Sequence, residues 1–357
     1  MPSFHFVPRP IERQGTARRW FTLAAVGLSF FLGAIVLKAA GASPLAVYKV
    51  FFFDSMTSAY NATEIINKTV TLAVIALGLS VGFRANIWNI GAEGQFIVGA
   101  ISASAVAIYF IEKEAPWVVL IVLLGGGIGG LLWSAIPAFL RAKITVNETL
   151  SSLMLVYVAQ LLLSYVVHGP LKDPRGYNFP QSKLFSDSSL VPSLLEDERL
   201  FATIILLPFV ALAVYWFIAK SWPGFQMRVA GLSPHSARYA GFSPSAPVWT
   251  GFLVTGFLAG IMGAVEVTGP IGQLTPVISP GYGFTAIIVA FLGRLNPLSI
   301  IAAAWMMAMI YIGGENAQID LALPVSISGV FQGLILFSLL AIDFLVGHKP
   351  MMAAKKS

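Results

Sequence analysis

The stretch "NIWNIGAEGQF", residues 86–96, separates two strongly apolar segments and carries two asparagines, a glutamate, a glutamine and two glycines, with Arg84 just upstream. Glycine weakens a helix, and asparagine side chains compete for backbone hydrogen bonds. At membrane depth, irregular backbone is tolerated only where it is buried in protein or lines a water-filled cavity. The stretch therefore predicts a helix break that belongs either to a solute path or to a packed scaffold.

The composition places this break in a membrane protein. The chain of 357 residues is 57% hydrophobic and 11% charged, with a mean hydropathy of +0.81, whereas soluble domains carry roughly 25% charged residues. The absence of cysteine excludes a disulfide framework and a thiolate metal site. The four histidines lack the spacing of metal ligands. These features exclude a soluble enzyme.

Apolar runs predict an all-α, polytopic membrane protein with about ten transmembrane helices. The predicted spans are 20–40, 66–83, 92–111, 117–140, 148–168, 200–219, 248–266, 283–293, 297–313 and 325–346. We expect a single transmembrane domain over residues 1–357, with a helical core at 20–346.

Charge placement predicts the orientation of these spans. Most of the 22 Lys and Arg residues fall in one set of alternating segments, and most loop acids fall in the other. The positive-inside rule then puts both termini, residues 1–19 and 347–357, in the cytoplasm. No loop concentrates enough positive charge for a nucleic-acid partner.

Three loops are longer than simple connectors: 41–65 and 169–199 outside, and 220–247 inside. In the first, Phe51, Phe52 and Phe53 indicate either a short interfacial helix or an aromatic anchor. The second is rich in turn formers and acids, which suits an exposed outer cap. Within span 117–140, Gly126 and Gly130 have the G-x-x-x-G spacing typical of close helix packing.

The inner loop contains a short helix with clear boundaries. Ser233 is a good N-cap, Pro234 suits the first helical position, and Gly241 suits the C-terminal cap. A helix over about 234–240 is too short to be stable alone in water. It therefore docks either on a cytoplasmic partner or on its own transmembrane bundle.

Polar side chains around the break are candidates for contact with a solute, because polar groups in the membrane are costly and mark pathways. Asn86, Asn89 and Gln95 offer amide groups, and Trp88 offers a stacking face. Glu93 either lines the path or pairs with Arg84. A second carboxylate in the membrane, Glu266, either lines the same cavity or bonds a neighbouring helix end.

Three segments together resemble the permease subunits of bacterial ATP-binding-cassette importers for sugars, nucleosides and branched-chain amino acids. "GFRANIWNIGAEGQF" (82–96) resembles the signature of the nucleoside and simple-sugar branch. "NETLSSLMLVYVA" (147–159) is similar to the next characteristic segment of that branch, with Val156 in place of an expected asparagine. "RVAGLSPHSARYAGFS" (228–243) resembles its cytoplasmic coupling segment.

The resemblance implies ten helices around a solute path in the bacterial cytoplasmic membrane. It also implies three partners: a second permease, a cytoplasmic ATPase that uses the ATP, and an extracytoplasmic solute-binding protein. The residues it places near the path are Asn86, Asn89, Gly91, Glu93, Gly94 and Gln95; Trp88 and Glu266 are further candidates because of their own chemistry. Those it assigns to ATPase coupling are Arg228, Gly231, Pro234, Ala237, Arg238 and Gly241.

Nucleoside import is the leading hypothesis, and import of a ribose-type sugar is the alternative. A secondary transporter is less well supported, because it needs coupling charges in the membrane and has no reason for a capped docking helix. A membrane enzyme would need a recognisable nucleophile, base or metal set, and the sequence offers none. The chain also lacks a nucleotide-binding motif and a cofactor site, so we expect ATP hydrolysis on a separate subunit.

Overall fold

The computed structural model describes residues 4–8, 17–176, 178–194, 200–324 and 326–352. By their contacts the residues group into two compact units, one over 59–308 and the other combining 1–58 with 309–357. The single domain expected over 1–357 stays a prediction. Parts of the predicted cytoplasmic termini, 1–19 and 347–357, and the outer-loop acids 196–198 lie outside the described residues.

The described residues form helices almost throughout, as the sequence predicts. The α-helices are α1 (Ala17–Ala39), α2 (Pro44–Phe52), α3 (Ala59–Phe83), α4 (Ala92–Tyr109), α5 (Val118–Ile144), α6 (Glu148–His168), α7 (Leu206–Lys220), α8 (Trp222–Leu232), α9 (Pro234–Tyr239), α10 (Ala246–Glu266), α11 (Tyr282–Leu292), α12 (Pro297–Leu321) and α13 (Ser326–Gly347). A departure from the all-α prediction is a pair of short antiparallel strands, β1 (Phe4–Pro8) and β2 (His348–Met352).

Each predicted span overlaps one of these helices, but their lengths differ. Within the described residues, seven helices are long and apolar enough to cross a membrane. Three predicted spans correspond to shorter apolar helical stretches, Leu23–Ala39, Tyr282–Leu292 and Ser326–Ile342. The structure thus supports a multi-pass membrane protein, and ten crossings with cytoplasmic termini stay a prediction.

Two features of the predicted loops take defined structure. The aromatic segment in the first outer loop forms the short helix α2, in which Phe51 is fully buried, while Phe53 just beyond it is largely exposed. In the inner loop the sequence indicates only one helix, whereas the structure contains two. The additional one, α8, begins at the N-cap Ser221, whose hydroxyl accepts a hydrogen bond from the Gly224 N–H at 3.1 Å.

The predicted small-residue contact is confirmed within the larger unit. Gly126 and Gly130 of α5 face Gly260 of α10, where backbone meets backbone. A Cβ atom built on Gly126 would lie 2.6 Å from the Ala264 Cβ, which is closer than real Cβ atoms come. Small residues therefore set the distance between α5 and α10, and this packing holds the neighbouring α4 in position.

We predict that Gly126→Ala lowers stability, because over-packing a close helix contact costs about 1–3 kcal/mol. The matched control is Gly333→Ala in α13, where an added Cβ would have nothing within 4 Å. The measurement is the thermal midpoint of the purified protein in detergent. An equal midpoint for the two variants would contradict the close contact.

Candidate functional site

The helix break predicted from the sequence is present, and it lies in the larger unit. Helix α3 ends at Phe83, α4 begins at Ala92, and residues 87–90 have no regular structure. Asn86 turns the chain with φ of +56°. That left-handed conformation is one that asparagine adopts more readily than most residues, because its short polar side chain bonds locally.

Two buried amides hold the irregular backbone. Asn89 Nδ2 donates to Gln95 Oε1 at 3.1 Å, and Gln95 Nε2 donates back to Asn89 Oδ1 at 3.2 Å. Asn89 Oδ1 also accepts the Gly91 N–H at 3.0 Å, and the Ser152 hydroxyl accepts the Ile90 N–H at 3.2 Å. These bonds give partners to backbone groups that have no helical hydrogen bond in the break. The two amides therefore stabilise the backbone conformation of the break.

Arg84 and Glu93 do not pair with each other; they hold opposite ends of the short helix α11. Glu93 Oε2 accepts the Gly283 N–H in the first turn at 2.6 Å, and Arg84 Nη2 donates to the Leu295 carbonyl just beyond the last turn at 2.5 Å. Acidic groups are stabilising at a helix N-terminus and basic groups at a C-terminus. The break thus supplies a hydrogen-bond acceptor at the start of α11 and a donor in the turn after its end.

The break also contacts the predicted inner loop, residues 220–247, directly. Asn86 Nδ2 donates to the Gly231 carbonyl at 2.8 Å. Gly231 packs so closely on the backbone of Arg84 and Ala85 that a side chain would not fit there. Burial, and then the nearby Arg228 guanidinium, lower the pKa of Arg84 below its ordinary value. The C-terminal end of α8 therefore packs directly against residues 84–86.

The remaining residues of the break pack against aromatic rings and against α6. The Trp88 ring stacks on Phe291 of α11, with centroids 5.5 Å apart and an angle of 21°, and it is 42% exposed. Gly91 lies against Ser152, and Gly94 lies against Val156. Because Val156 is buried at this contact, the position where an asparagine was expected serves packing in this chain.

Glu266 is part of a buried ion pair. Lys68 Nζ of α3 lies 3.3 Å from Glu266 Oε1 at the end of α10, and the two side chains are 13% and 6% exposed. Lys68 also donates to the Tyr282 hydroxyl and lies over that ring, 4.8 Å from its centroid. Of the two alternatives for Glu266, the structure supports a bond to a neighbouring helix. Through Lys68, this bond joins α3, α10 and the start of α11.

A cavity of about 260 Å³ opens beside Glu93. Its polar lining consists of Glu93, Gln160 of α6 and Ser279 in the segment before α11, and its remaining lining is apolar. Among the described residues, a larger cavity of about 510 Å³ is lined by apolar and aromatic side chains of α3, α5, α7 and α10. Since a polar solute needs hydrogen-bonding partners, the smaller cavity is the candidate site.

The predicted coupling residues lie on α8, on α9 and in the turn after α9. Ser233 caps α9 by accepting the Ser236 N–H at 3.2 Å, and Pro234 is the first helical residue, as predicted. Gly241 follows α9 with φ of +78°. Ala237 is buried, whereas Arg238 is exposed and the neighbouring Tyr239 is 91% exposed.

Of the predicted path residues, Glu93 lines the cavity, while the structure gives the others partners within the protein. Sequence reasoning missed Lys68, Gln160 and Ser279. Lys68 and Gln160 carried a usable signal, since each is a polar residue inside an apolar span and such residues are functional candidates. Ser279 lies in a loop with no distinctive pattern, and only the fold brings it to Glu93.

Comparison with known families gives one match that covers most of the chain. The profile described as "branched-chain amino acid transport system / permease component" matches residues 61–340. This range includes the helix break, α6, α8, α9 and both ends of α11.

Comparison with characterised proteins gives similar sequences of comparable length. A glucose ABC transporter permease protein of Haloferax volcanii is 34% identical over 88% of this chain and 84% of its own. A guanosine ABC transporter permease protein of Bacillus subtilis is 28% identical over 91% of this chain and 94% of its own. A nucleoside ABC transporter permease protein of Lactococcus lactis is 27% identical over 91% of each chain.

We predict that breaking the Lys68–Glu266 pair from one side is costly, because a buried charge is left without its partner. Lys68→Met alone or Glu266→Gln alone should lower stability by roughly 3–5 kcal/mol. The double variant should lose less than the sum of the two. Thermal midpoints of the four proteins in detergent measure this, and additive losses would contradict an interaction between the two side chains.

Proposed function

The chain belongs to the permease family of branched-chain amino acid transport systems, and we propose that it forms the path for nucleosides in an ATP-binding-cassette importer. Two of the three similar permeases are named for nucleosides or guanosine, and the third is named for glucose. Import of a simple sugar is therefore the alternative. In either case this chain is a transporter subunit, and ATP is hydrolysed by a partner.

The importer proposal rests on the direct contact between the coupling segment and the helix break. Asn86 holds the Gly231 carbonyl at 2.8 Å, and Gly231 leads through Ser233 into α9. Because the same break holds both ends of α11, a displacement of α9 by a partner would be passed to the residues beside the cavity.

The exposed side of α9 and its flanks suits a protein partner in the cytoplasm. Leu232 and Tyr239 are 86% and 91% exposed, and Arg238 lies next to Tyr239. Large apolar side chains flanking an exposed arginine are typical of the centre of a protein interface. We assign this surface, together with Arg228, to the ATPase subunit.

One face of α6 supports a path at the surface of this chain. Tyr157, Gln160, Ser164 and His168 are spaced by three or four residues, and all are exposed. Residues with this spacing share one face of a helix. Polar side chains facing lipid are unfavourable, so this face is assigned to an aqueous path that a second permease closes from the other side.

The other parts of the proposal follow the same family. The complex lies in the bacterial cytoplasmic membrane, with the ATPase at the inner loop and a solute-binding protein at the outer loops. Glu93 contacts the solute. Trp88, Asn89, Gly91, Gly94, Gln95 and Glu266 act on the path by fixing its walls, because their contacts in this structure are with the protein.

The test of the substrate class is uptake of labelled guanosine by cells with and without this chain, challenged by unlabelled nucleosides, ribose, glucose and leucine. Loss of uptake on deletion, with competition by nucleosides alone, is the expected result. Competition by a sugar, or guanosine uptake that is unchanged on deletion, would overturn nucleoside import.

We predict that Arg238→Glu leaves the protein in the membrane but lowers uptake by roughly tenfold or more. Loss of one arginine contact at the centre of an interface costs about 2 kcal/mol or more, and every 1.4 kcal/mol is a factor of ten. Lys143→Glu, also exposed but at the end of α5, is the matched control and should transport normally. Uptake and co-purification of the ATPase are measured together, and normal uptake by Arg238→Glu would refute the assignment of α9.

A further inference from the structure

We propose that the larger cavity, of about 510 Å³, binds one acyl chain of an anionic phospholipid, with the lipid headgroup at Lys220 and Trp216. The cavity lies within the larger unit, between α3, α5, α7 and α10. It shares no lining residue with the cavity beside Glu93. The lipid site is therefore separate from the transported solute.

The walls of this cavity suit hydrocarbon. Leu131, Val254 and Phe257 are typical of its lining, and the indole N–H of Trp216 is the one polar side-chain group that the described residues contribute to it. A polar ligand would give up hydrogen bonds to water in such a site without replacing them. A hydrocarbon chain needs only dispersion contacts, which apolar walls supply.

The length and the opening of the cavity fit one acyl chain. Along α7 the lining runs from Val210 to Phe217, which is about 10 Å at a rise of roughly 1.5 Å per residue. One leaflet contributes about 15 Å to a hydrocarbon core that is about 30 Å thick. Two of the lining residues, Ala213 and Trp216, are exposed, so a chain can enter from the bilayer.

The apolar face of α7 that lines the cavity ends in a positive charge. Val210, Ala213, Phe217 and Lys220 are spaced by three or four residues, and residues with this spacing share one face of a helix. Lys220 is the last residue of α7. It is exposed, and its side chain has no ion pair or hydrogen bond with any described residue. A lipid phosphate above an acyl chain in the cavity would lie at this ammonium group.

The surroundings of Lys220 favour an anionic headgroup. Residues 220–247 contain lysine and arginine but no aspartate or glutamate, so no acid of this segment competes for the charge. Trp222 follows directly, is largely exposed and stacks on Phe225 with centroids 5.5 Å apart. Tryptophan is enriched where a membrane meets water, and lysine near that surface attracts anionic lipids.

The first experiment uses the full-length protein, purified in a mild detergent, and measures the retained phospholipid per chain by mass spectrometry. Ala213→Trp places a large ring in the cavity from an exposed position. We expect the amount of retained anionic phospholipid to fall by several-fold. The matched control is Leu212→Trp, which is exposed on the same helix but outside the lining, and it should retain lipid as the wild type does.

The second experiment tests the headgroup. Phosphatidylglycerol or phosphatidylethanolamine is added to delipidated protein, and the rise of the thermal midpoint is followed against lipid concentration. We expect the wild type to respond to phosphatidylglycerol at a roughly fivefold lower concentration, which is the effect of one lysine on an anionic lipid. Lys220→Gln should lose this preference, whereas Lys143→Gln, exposed at the end of α5, should keep it.

Each result has a definite reading. Wild-type retention in Ala213→Trp, or an equal loss in Leu212→Trp, would overturn the acyl site, the second because lipid around the whole surface would then explain the retention. Retention of no lipid by the wild type would also overturn it and would indicate a protein neighbour at the cavity. Lys220→Gln changes an exposed side chain outside the core, so it decides the case if Ala213→Trp does not fold, and an unchanged preference in it would refute the headgroup assignment.

Discussion

The structure of the larger unit depends on one constraint: the start of α11 and the turn that follows its end have polar backbone groups that need partners, which apolar helices cannot supply. A helix leaves N–H groups unpaired at its start, and irregular backbone also has polar groups for which hydrocarbon offers no partner. One irregular segment supplies a partner on each side of α11: Glu93 accepts the Gly283 N–H in the first turn, and Arg84 donates to the Leu295 carbonyl in the turn after the helix. The polarity of Arg84 and Glu93 is explained first by these contacts.

The segment between α3 and α4 that contacts α11 also contacts three other parts of the larger unit. Asn86 connects it to the coupling segment, Ile90 connects it to Ser152 of α6, and Glu93 brings it to the cavity. The first two contacts are hydrogen bonds, one from the short Asn86 side chain and one from the Ile90 main chain. Residues 86–93 therefore connect the coupling segment, α6 and the cavity without a long chain of intermediate side chains.

The sequence predicted the features that depend on residue type and local spacing. It could not predict contacts between residues that lie far apart along the chain. The apolar spans, the caps of α9 at Ser233 and Gly241, and the close contact of Gly126 follow from residue type and spacing. The helix α8 was not predicted, because its boundaries resemble a loop with proline and glycine. The partners of Arg84 and Glu93 lie 211 and 190 residues away in the sequence, so local reasoning left open whether Glu93 lines the path or pairs with Arg84. Lys68 opposite Glu266 was likewise beyond a local pattern.

The long separation between the break and α11 has a consequence for biosynthesis. The bond from Gly283 to Glu93 spans 190 residues of sequence, and ribosomes add roughly 5–20 residues per second. For about 10–40 s after residue 93 has been synthesised, α11 does not yet exist and cannot donate its Gly283 N–H to the Glu93 carboxylate. During that interval the segment must remain in contact with water or with the insertion machinery. The first helices of the larger unit are thus inserted as an unfinished assembly, which the last third of the chain completes.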